Sequence, residues 1–236
     1  MPVYPVYTLT ILCAAFMVLW VYRADRHERE PWWAVIVALL TGFGFMWLIG
    51  QGDDFALDVL HLSHDEVAAR AAVIALIEEG GKLLTVLFLA NVLLRRQFND
   101  PMDGLIYGRL AGLGMAVNES MLYLSLAPPT LQTLGMEIVR LFGHSLMCAL
   151  IGFAIGIGAR PGGRPRRSYP WLAVACLSLS TFFHFAWNLT AYAPRGGITE
   201  RLVPMMVMLA LMVLWRWLSD IAEAKSKEVF AEAAAA

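Results

Sequence analysis

The stretch AVIALIEEGGKLLTVLFLA, residues 72–90, is apolar enough to cross a membrane, yet it carries Glu78, Glu79 and Lys82. About 20 residues of helix cross the roughly 30 Å hydrocarbon core of a bilayer. An ionised group at that depth costs about 2.5–3.5 kcal/mol, so such residues are rare and usually mark function. The stretch therefore predicts a transmembrane helix with one face turned toward a protein interior.

The whole chain has the composition of a membrane protein. Of its 236 residues, 59% are apolar and 16% are charged, against roughly 45–50% and about 25% in soluble domains. Short linkers separate seven apolar segments, at 4–22, 32–50, 67–94, 104–126, 134–159, 170–192 and 201–217. We therefore predict an all-α, polytopic helical bundle that forms a single domain over 1–219, with no room for a soluble catalytic module.

Lysine and arginine are concentrated in alternate linkers. The first, third and fifth linkers and the C-terminal end hold twelve of them, whereas the second and fourth linkers hold none. Because cytoplasmic linkers carry the excess of basic residues, we expect the N-terminus outside and the C-terminus in the cytoplasm. The first segment lacks a basic n-region and is interpreted as a retained span. Residues 220–236 are expected to be a cytoplasmic tail, partly artificial at its Ala-rich end.

Several other function classes do not fit this sequence. No basic tract with interleaved aromatic residues points to nucleic acid. The three cysteines are too scattered for a disulfide framework or a CxxC metal site. The acidic linker 51–66, QGDDFALDVLHLSHDE, is interpreted as a solvated outer loop or an interfacial helix, although its two histidines could be drawn as a metal site.

Glycines recur every four residues in two of the predicted spans. They are Gly104, Gly108 and Gly112 in the fourth span, and Gly152 and Gly156 in the fifth. Small residues at this spacing let helix backbones approach closely inside membranes. We interpret both series as packing devices.

Ionisable residues also lie inside three further spans. They are Glu119 in the fourth span, Arg140 and His144 in the fifth, and His184, followed by Asn188, in the sixth. Counted from the outer end of each span, the glutamates and histidines lie about 7 to 12 residues deep, which at 1.5 Å per residue is a spread of about 7 Å. Each of these residues could instead have a purely structural role, such as a Glu78–Lys82 ion pair or a pair of Glu119 with Arg109 or Arg140. Their common depth favours one shared site instead.

The order of these motifs resembles the PrsW family of bacterial intramembrane proteases, which is related to the type II CAAX prenyl endopeptidases. The motifs are EEGGK at 78–82, DPMDGLIYGRLAGLGMAVNESMLY at 100–123, GHSLMCALIGFAIG at 143–156 and HFAWN at 184–188. Two positions depart from the family pattern: Met115 stands where Phe is usual, and Ser120 stands where Asn usually follows the glutamate.

The resemblance implies both site residues and a cellular role. Glu78 and Glu79 correspond to the family's paired glutamates, Lys82 to its motif lysine, and Glu119, His144 and His184 to its further glutamate and its histidines. It also implies a multi-pass protein of the bacterial cell membrane. Its substrate would be a single-pass membrane protein cut near the extracytoplasmic side, such as an anti-sigma factor in regulated proteolysis.

Peptide hydrolysis needs an activated water, a stabilised oxyanion and a proton donor for the leaving amine. We hypothesise an intramembrane metalloprotease whose catalytic core lies in 67–192. Glu78 is assigned as general base and then acid, Asn188 as oxyanion donor, and Lys82 as the charge-balancing residue. The proposed metal ligands are Glu79, Glu119, His144 and His184, a donor set that suits zinc.

Two alternatives use the same residues. One is a metal-free glutamate protease in which Glu78 acts with a histidine. The other is a proton- or cation-coupled transporter in which the buried carboxylates and histidines form a relay. Transporters usually contain an inverted repeat, and the sequence shows no internal repeat.

Overall fold

The computed structural model describes residues 3–23, 28–126, 130–160, 168–192 and 199–235. They form the α-helices α1 (Val3–Tyr22), α2 (Trp32–Val59), α3 (Val67–Phe88), α4 (Pro101–Leu126), α5 (Leu131–Gly156), α6 (Pro170–Tyr192) and α7 (Thr199–Ala234), and α3 continues into one π-helical turn, Leu89–Leu93. The described ranges contain no strand, which confirms the all-α bundle. Four of the arginines counted to predict orientation lie outside the described residues, Arg26, Arg164, Arg166 and Arg167, as does Arg195 of the sixth linker.

Five of these helices, α1, α2, α5, α6 and α7, are long and apolar enough to cross a membrane. The other two predicted spans, α3 and α4, have 22 and 26 residues but carry many of the ionisable side chains. Every residue of α4 over 101–116 is buried inside the bundle. A helix enclosed by protein does not need the hydropathy of one that faces lipid, because its polar groups meet other side chains.

Helix α2 extends further than its hydropathy predicts. The predicted span ends at 50, but the helix continues to Val59 and includes the first half of the linker expected to be solvated or interfacial. One face of α2 stays buried at intervals of three or four residues through Gly42, Met46, Ile49 and Asp53. This helical periodicity continues after the apolar composition has ended.

Helix α7 also continues beyond its predicted span. It includes most of the segment expected to be a separate tail and ends at Ala234. Ser226 in this extension is buried, and its hydroxyl donates a 2.8 Å hydrogen bond to Asp100 Oδ1 just before α4. The C-terminal segment is therefore helical and packs against the beginning of α4.

The glycine series brings the backbones of α4 and α5 into contact. A Cβ built on Gly104 would lie 2.2 Å from the carbonyl oxygen of Gly152, and one on Gly112 would lie 2.2 Å from that of His144. Real Cβ atoms essentially never approach other atoms within 3.0 Å. The contacts confirm the packing interpretation, and they set α4 directly against the turn of α5 that carries His144.

Replacing Gly104 with Ala is expected to lower the free energy of unfolding by about 1–3 kcal/mol, the usual cost of overpacking a core. The matched control is Gly44→Ala, because a Cβ at Gly44 has no atom within 4 Å. Alanine is the better helix former, so the control should be neutral or slightly stabilising. Unfolding titrations in mixed micelles measure both variants. Equal stabilities would contradict the close α4–α5 contact.

Candidate active site

Four helices bring the predicted ionisable residues into one cluster. Glu78 Oε2 on α3 lies 3.7 Å from His184 Nε2 on α6 and 4.0 Å from His144 Nε2 on α5. Glu119 Oε2 on α4 lies 2.8 Å from His144 Nε2. Glu78 and both histidines are at most 6% exposed. Side chains that share a depth in sequence are therefore also in contact around one centre.

Glu79 is engaged through both of its carboxylate oxygens. Its Oε1 lies 2.7 Å from His184 Nδ1 and also contacts the ammonium of Lys82. Its Oε2 accepts a 2.5 Å hydrogen bond from Ser180 on α6. A carboxylate beside Nδ1 favours the tautomer in which that nitrogen carries the proton, which leaves the lone pair on Nε2. Glu79 thus sets the orientation of His184.

Glu119 holds the second histidine and is itself held by a cation. Arg140 Nε lies 3.5 Å from Glu119 Oε1, and the Arg140 guanidinium stacks 4.2 Å from the centre of the Tyr123 ring. Of the two arginines that the sequence offers as partners, Arg140 makes this contact, whereas Arg109 lies between two tryptophan rings. His184 therefore has one ring nitrogen beside a carboxylate and the other facing Glu78, as metal-binding histidines usually do. In His144 the same nitrogen, Nε2, faces both Glu119 and Glu78, and Nδ1 is buried without a hydrogen bond to the described residues.

Lys82 and Asn188 complete the surroundings of the cluster. The Lys82 side chain is fully buried and contacts Glu79, three residues away, while its Nζ lies 4.0 Å from Glu78 Oε2. Asn188 lies one turn after His184, is buried, and has no hydrogen-bond partner for Nδ2 within the described part of the chain. The lysine balances the charge of Glu79, and the asparagine retains an unused donor.

Three of these side chains fit a divalent metal. Glu78, His144 and His184 offer ligand atoms that all lie within 4.8 Å of one another. Ligands of a tetrahedral zinc, each at about 2.0–2.2 Å, lie roughly 3.4 Å apart, close to the distances from Glu78 Oε2 to the two imidazoles. Glu78 Oε2 is buried and has no hydrogen-bond partner among the described residues. The ligand set proposed from sequence contained Glu79 and Glu119 with the two histidines, whereas the ligand atoms that converge here belong to Glu78 and the histidines.

A cavity of about 760 Å³ connects this cluster with the end of the bundle where α2 ends and α3 begins. Glu78 and Glu119 lie on its wall, together with Asp53, Asp54 and Arg70. Sequence reasoning missed Asp53 because it treated 51–66 as a linker. The buried periodicity of α2, which includes Ile49 and Asp53, is the signal that would have found it.

Comparisons with known proteins agree with these observations. A family model described as PrsW family intramembrane metalloprotease matches residues 30–215. The chain is 28% identical over 210 residues to Protease PrsW of Geobacillus kaustophilus, a match that covers 86% of this chain and 85% of the relative. It is 24% identical over 174 residues to Protease PrsW of Clostridioides difficile, covering 71% and 72%. No solved structure matches.

Replacing Lys82 with Met is expected to lower the free energy of unfolding by about 3–5 kcal/mol, because it leaves the Glu79 charge buried without its cation. The double variant Lys82→Met, Glu79→Gln should recover part of that loss. Lys225→Met serves as the control, since Lys225 forms an exposed pair with Glu228 and should matter little. Chemical unfolding of all variants tests the pair. An unchanged free energy of unfolding in Lys82→Met would show that Glu79 does not need this cation.

Proposed function

Since the chain belongs to the PrsW family of intramembrane proteases, we propose that it cleaves a single-pass membrane protein near the outer face of a bacterial cell membrane. Membership makes it a membrane-embedded peptidase. The cavity supports the position of the cut, because it leads from the α2–α3 end of the bundle, the end predicted to be outside, to Glu78 and Glu119. A substrate of the anti-sigma-factor kind suits such a site.

The observation that carries this proposal is the cluster of Glu78, His144 and His184, buried in the bundle but reached by the cavity. Peptide hydrolysis in a membrane needs water beside polar catalytic groups and shelter from lipid. A cavity that ends at the carboxylates of Glu78 and Glu119, each beside a buried imidazole, meets both needs. Family membership favours this chemistry over a transporter that would use the same side chains as a relay.

We assign Glu78, His144 and His184 as the residues that hold a divalent metal, zinc in our proposal. When bound, this metal would polarise the scissile carbonyl and supply a nucleophilic water at neutral pH. Glu79, suggested as a ligand by the sequence, becomes a positioning residue in this proposal, because His184, Lys82 and Ser180 already engage its two oxygens.

The chain's other polar groups serve proton transfer and charge. Glu119 lines the cavity beside His144 and is assigned to take a proton from the attacking water and return it to the leaving amine. Asn188 Nδ2 is assigned to donate a hydrogen bond to the developing oxyanion, a contact that is strong where water is excluded. Lys82 offsets the charge of Glu79, so that the buried site does not accumulate negative charge.

One observation also supports the metal-free route. The Lys82 ammonium lies 4.0 Å from Glu78 Oε2, so Glu78 has a fixed cation as a neighbour without any metal. Glu78 would then take the proton from water and return it to the leaving amine, with His184 Nε2 beside it at 3.7 Å. This is the general-base role that the sequence analysis gave to Glu78.

Both routes require Glu78, so Glu78→Gln is expected to reduce kcat by at least about 100-fold. The assay is cleavage of a labelled single-pass membrane protein by the enzyme reconstituted in liposomes. Glu228→Gln, on the exposed part of α7, is the control and should cleave at the unchanged rate. Cleavage by the Glu78 variant at the control rate would overturn the assignment. Ion flux without cleavage would favour the transporter.

Chelation separates the two routes. We expect exhaustive chelation to abolish cleavage and added zinc, but not magnesium, to restore it. Metal analysis of the purified protein should find about one zinc per chain, and much less in His184→Ala, whether or not the variant is active. Full activity after chelation, with no bound metal in the native enzyme, would contradict the metal assignment and support the metal-free route.

A further inference from the structure

Asp53 on α2 is a buried carboxylate without a partner. It is 8% exposed, and its Oδ1 has no hydrogen bond among the residues that the structure describes. It lines the same cavity as Glu78 and Glu119. An unpaired buried carboxylate is costly to ionise, and a cation supplied from outside the chain would stabilise its ionised form.

No lysine or arginine on the described wall of the cavity forms a salt bridge with Asp53. Arg70 also lines the wall, but its Nη1 donates a 3.0 Å hydrogen bond to the carbonyl oxygen of Leu62. No salt bridge joins Asp53 to a lysine, arginine or histidine in the described ranges. The adjacent Asp54 adds a second acid to the wall. Complementary charge selects partners, so this part of the cavity favours a positively charged ligand.

A metal ion fits this position less well than an organic cation. Within the described residues, metal-ligating side chains converge at Glu78, His144 and His184 and not around Asp53. A lysine ammonium or an arginine guanidinium needs only one or two carboxylate oxygens and brings its own donors. The occupant that matches one carboxylate at the wall of a peptide-sized cavity is a basic side chain.

We propose that Asp53 is a specificity-determining residue that binds a lysine or arginine of the substrate, an inference that rests on the proposed protease function. Asp53 lies six residues before the end of α2 at Val59, and Glu78 lies eleven after the beginning of α3 at Val67. At 1.5 Å per residue, Asp53 is about 7 Å nearer the outer end of the bundle. An extended peptide rises about 3.3 Å per residue, so the basic residue lies about two to three positions from the scissile bond, on its outer side.

The test compares matched transmembrane peptides that carry either Lys or Met at each of these positions. The wild-type enzyme should cleave the best Lys peptide with a kcat/KM about tenfold above its Met counterpart, the range expected for a charge-assisted hydrogen bond. Asp53→Asn should lose that preference, with kcat/KM for the Lys peptide falling to the level of the Met peptide. Asp53→Lys should prefer a Glu peptide. Asp58→Asn, five residues further along α2 and outside the cavity wall, should keep the wild-type preference.

Failure of this inference is distinguishable from failure of the proposed function. Equal cleavage of Lys and Met peptides by the wild type, or an unchanged preference in Asp53→Asn, overturns the role of Asp53 while protease activity stands. If no peptide is cleaved, photo-crosslinking of the same peptides to the intact chain gives the answer. Crosslinking that requires both the peptide lysine and Asp53 supports the inference. Crosslinking that is unchanged when either one is replaced overturns it. Asp53→Glu, which keeps the charge, should retain the preference, and thermal unfolding of each variant identifies any that fails to fold.

Discussion

A charge inside a helical bundle is tolerated only when an opposite charge or strong hydrogen bonds meet it, and this constraint organises the protein. Lys82 on α3 contacts Glu79, whose second oxygen accepts a hydrogen bond from Ser180 on α6. Arg140 on α5 contacts Glu119 on α4. Each pair contributes little net stability against well-packed apolar groups, but a wrong pairing is costly. The pairs therefore select one mutual arrangement of four helices.

The fold is predictable from sequence because the length and hydropathy of each segment set the spans. The ends of α2 and α7 are not predictable in this way, because the composition becomes polar there while the helices continue. In α2 the buried face continues past Ile49 to Asp53, and in α7 Ser226 is buried against Asp100. These positions depend on contacts with helices distant in sequence, which a hydropathy count does not contain.

The sequence predicts how deep the site residues lie in the membrane, but not toward which neighbouring helix each side chain points. Counting residues along each span places the glutamates and histidines in one layer, because helix rise is constant. Neighbouring residues such as Glu78 and Glu79 differ by about 100° around the axis, so the sequence indicates that their partners differ without indicating which partner each has. The position of Ser180 on α6 decides this, because its hydroxyl and His184 together engage Glu79.

Three of the buried groups without hydrogen bonds lie on the cavity wall or one turn from His184. Glu79 and Lys82 are fixed by charge and hydrogen bonds, whereas Asp53 Oδ1, Glu78 Oε2 and Asn188 Nδ2 are buried without hydrogen bonds among the described residues. These three come from α2, α3 and α6, so rigid pairs hold the frame while free acceptors and a free donor remain. Buried polar groups are normally satisfied. Under the proposed function, a metal at Glu78, a basic side chain of the substrate at Asp53 and the developing oxyanion at Asn188 would satisfy these three groups.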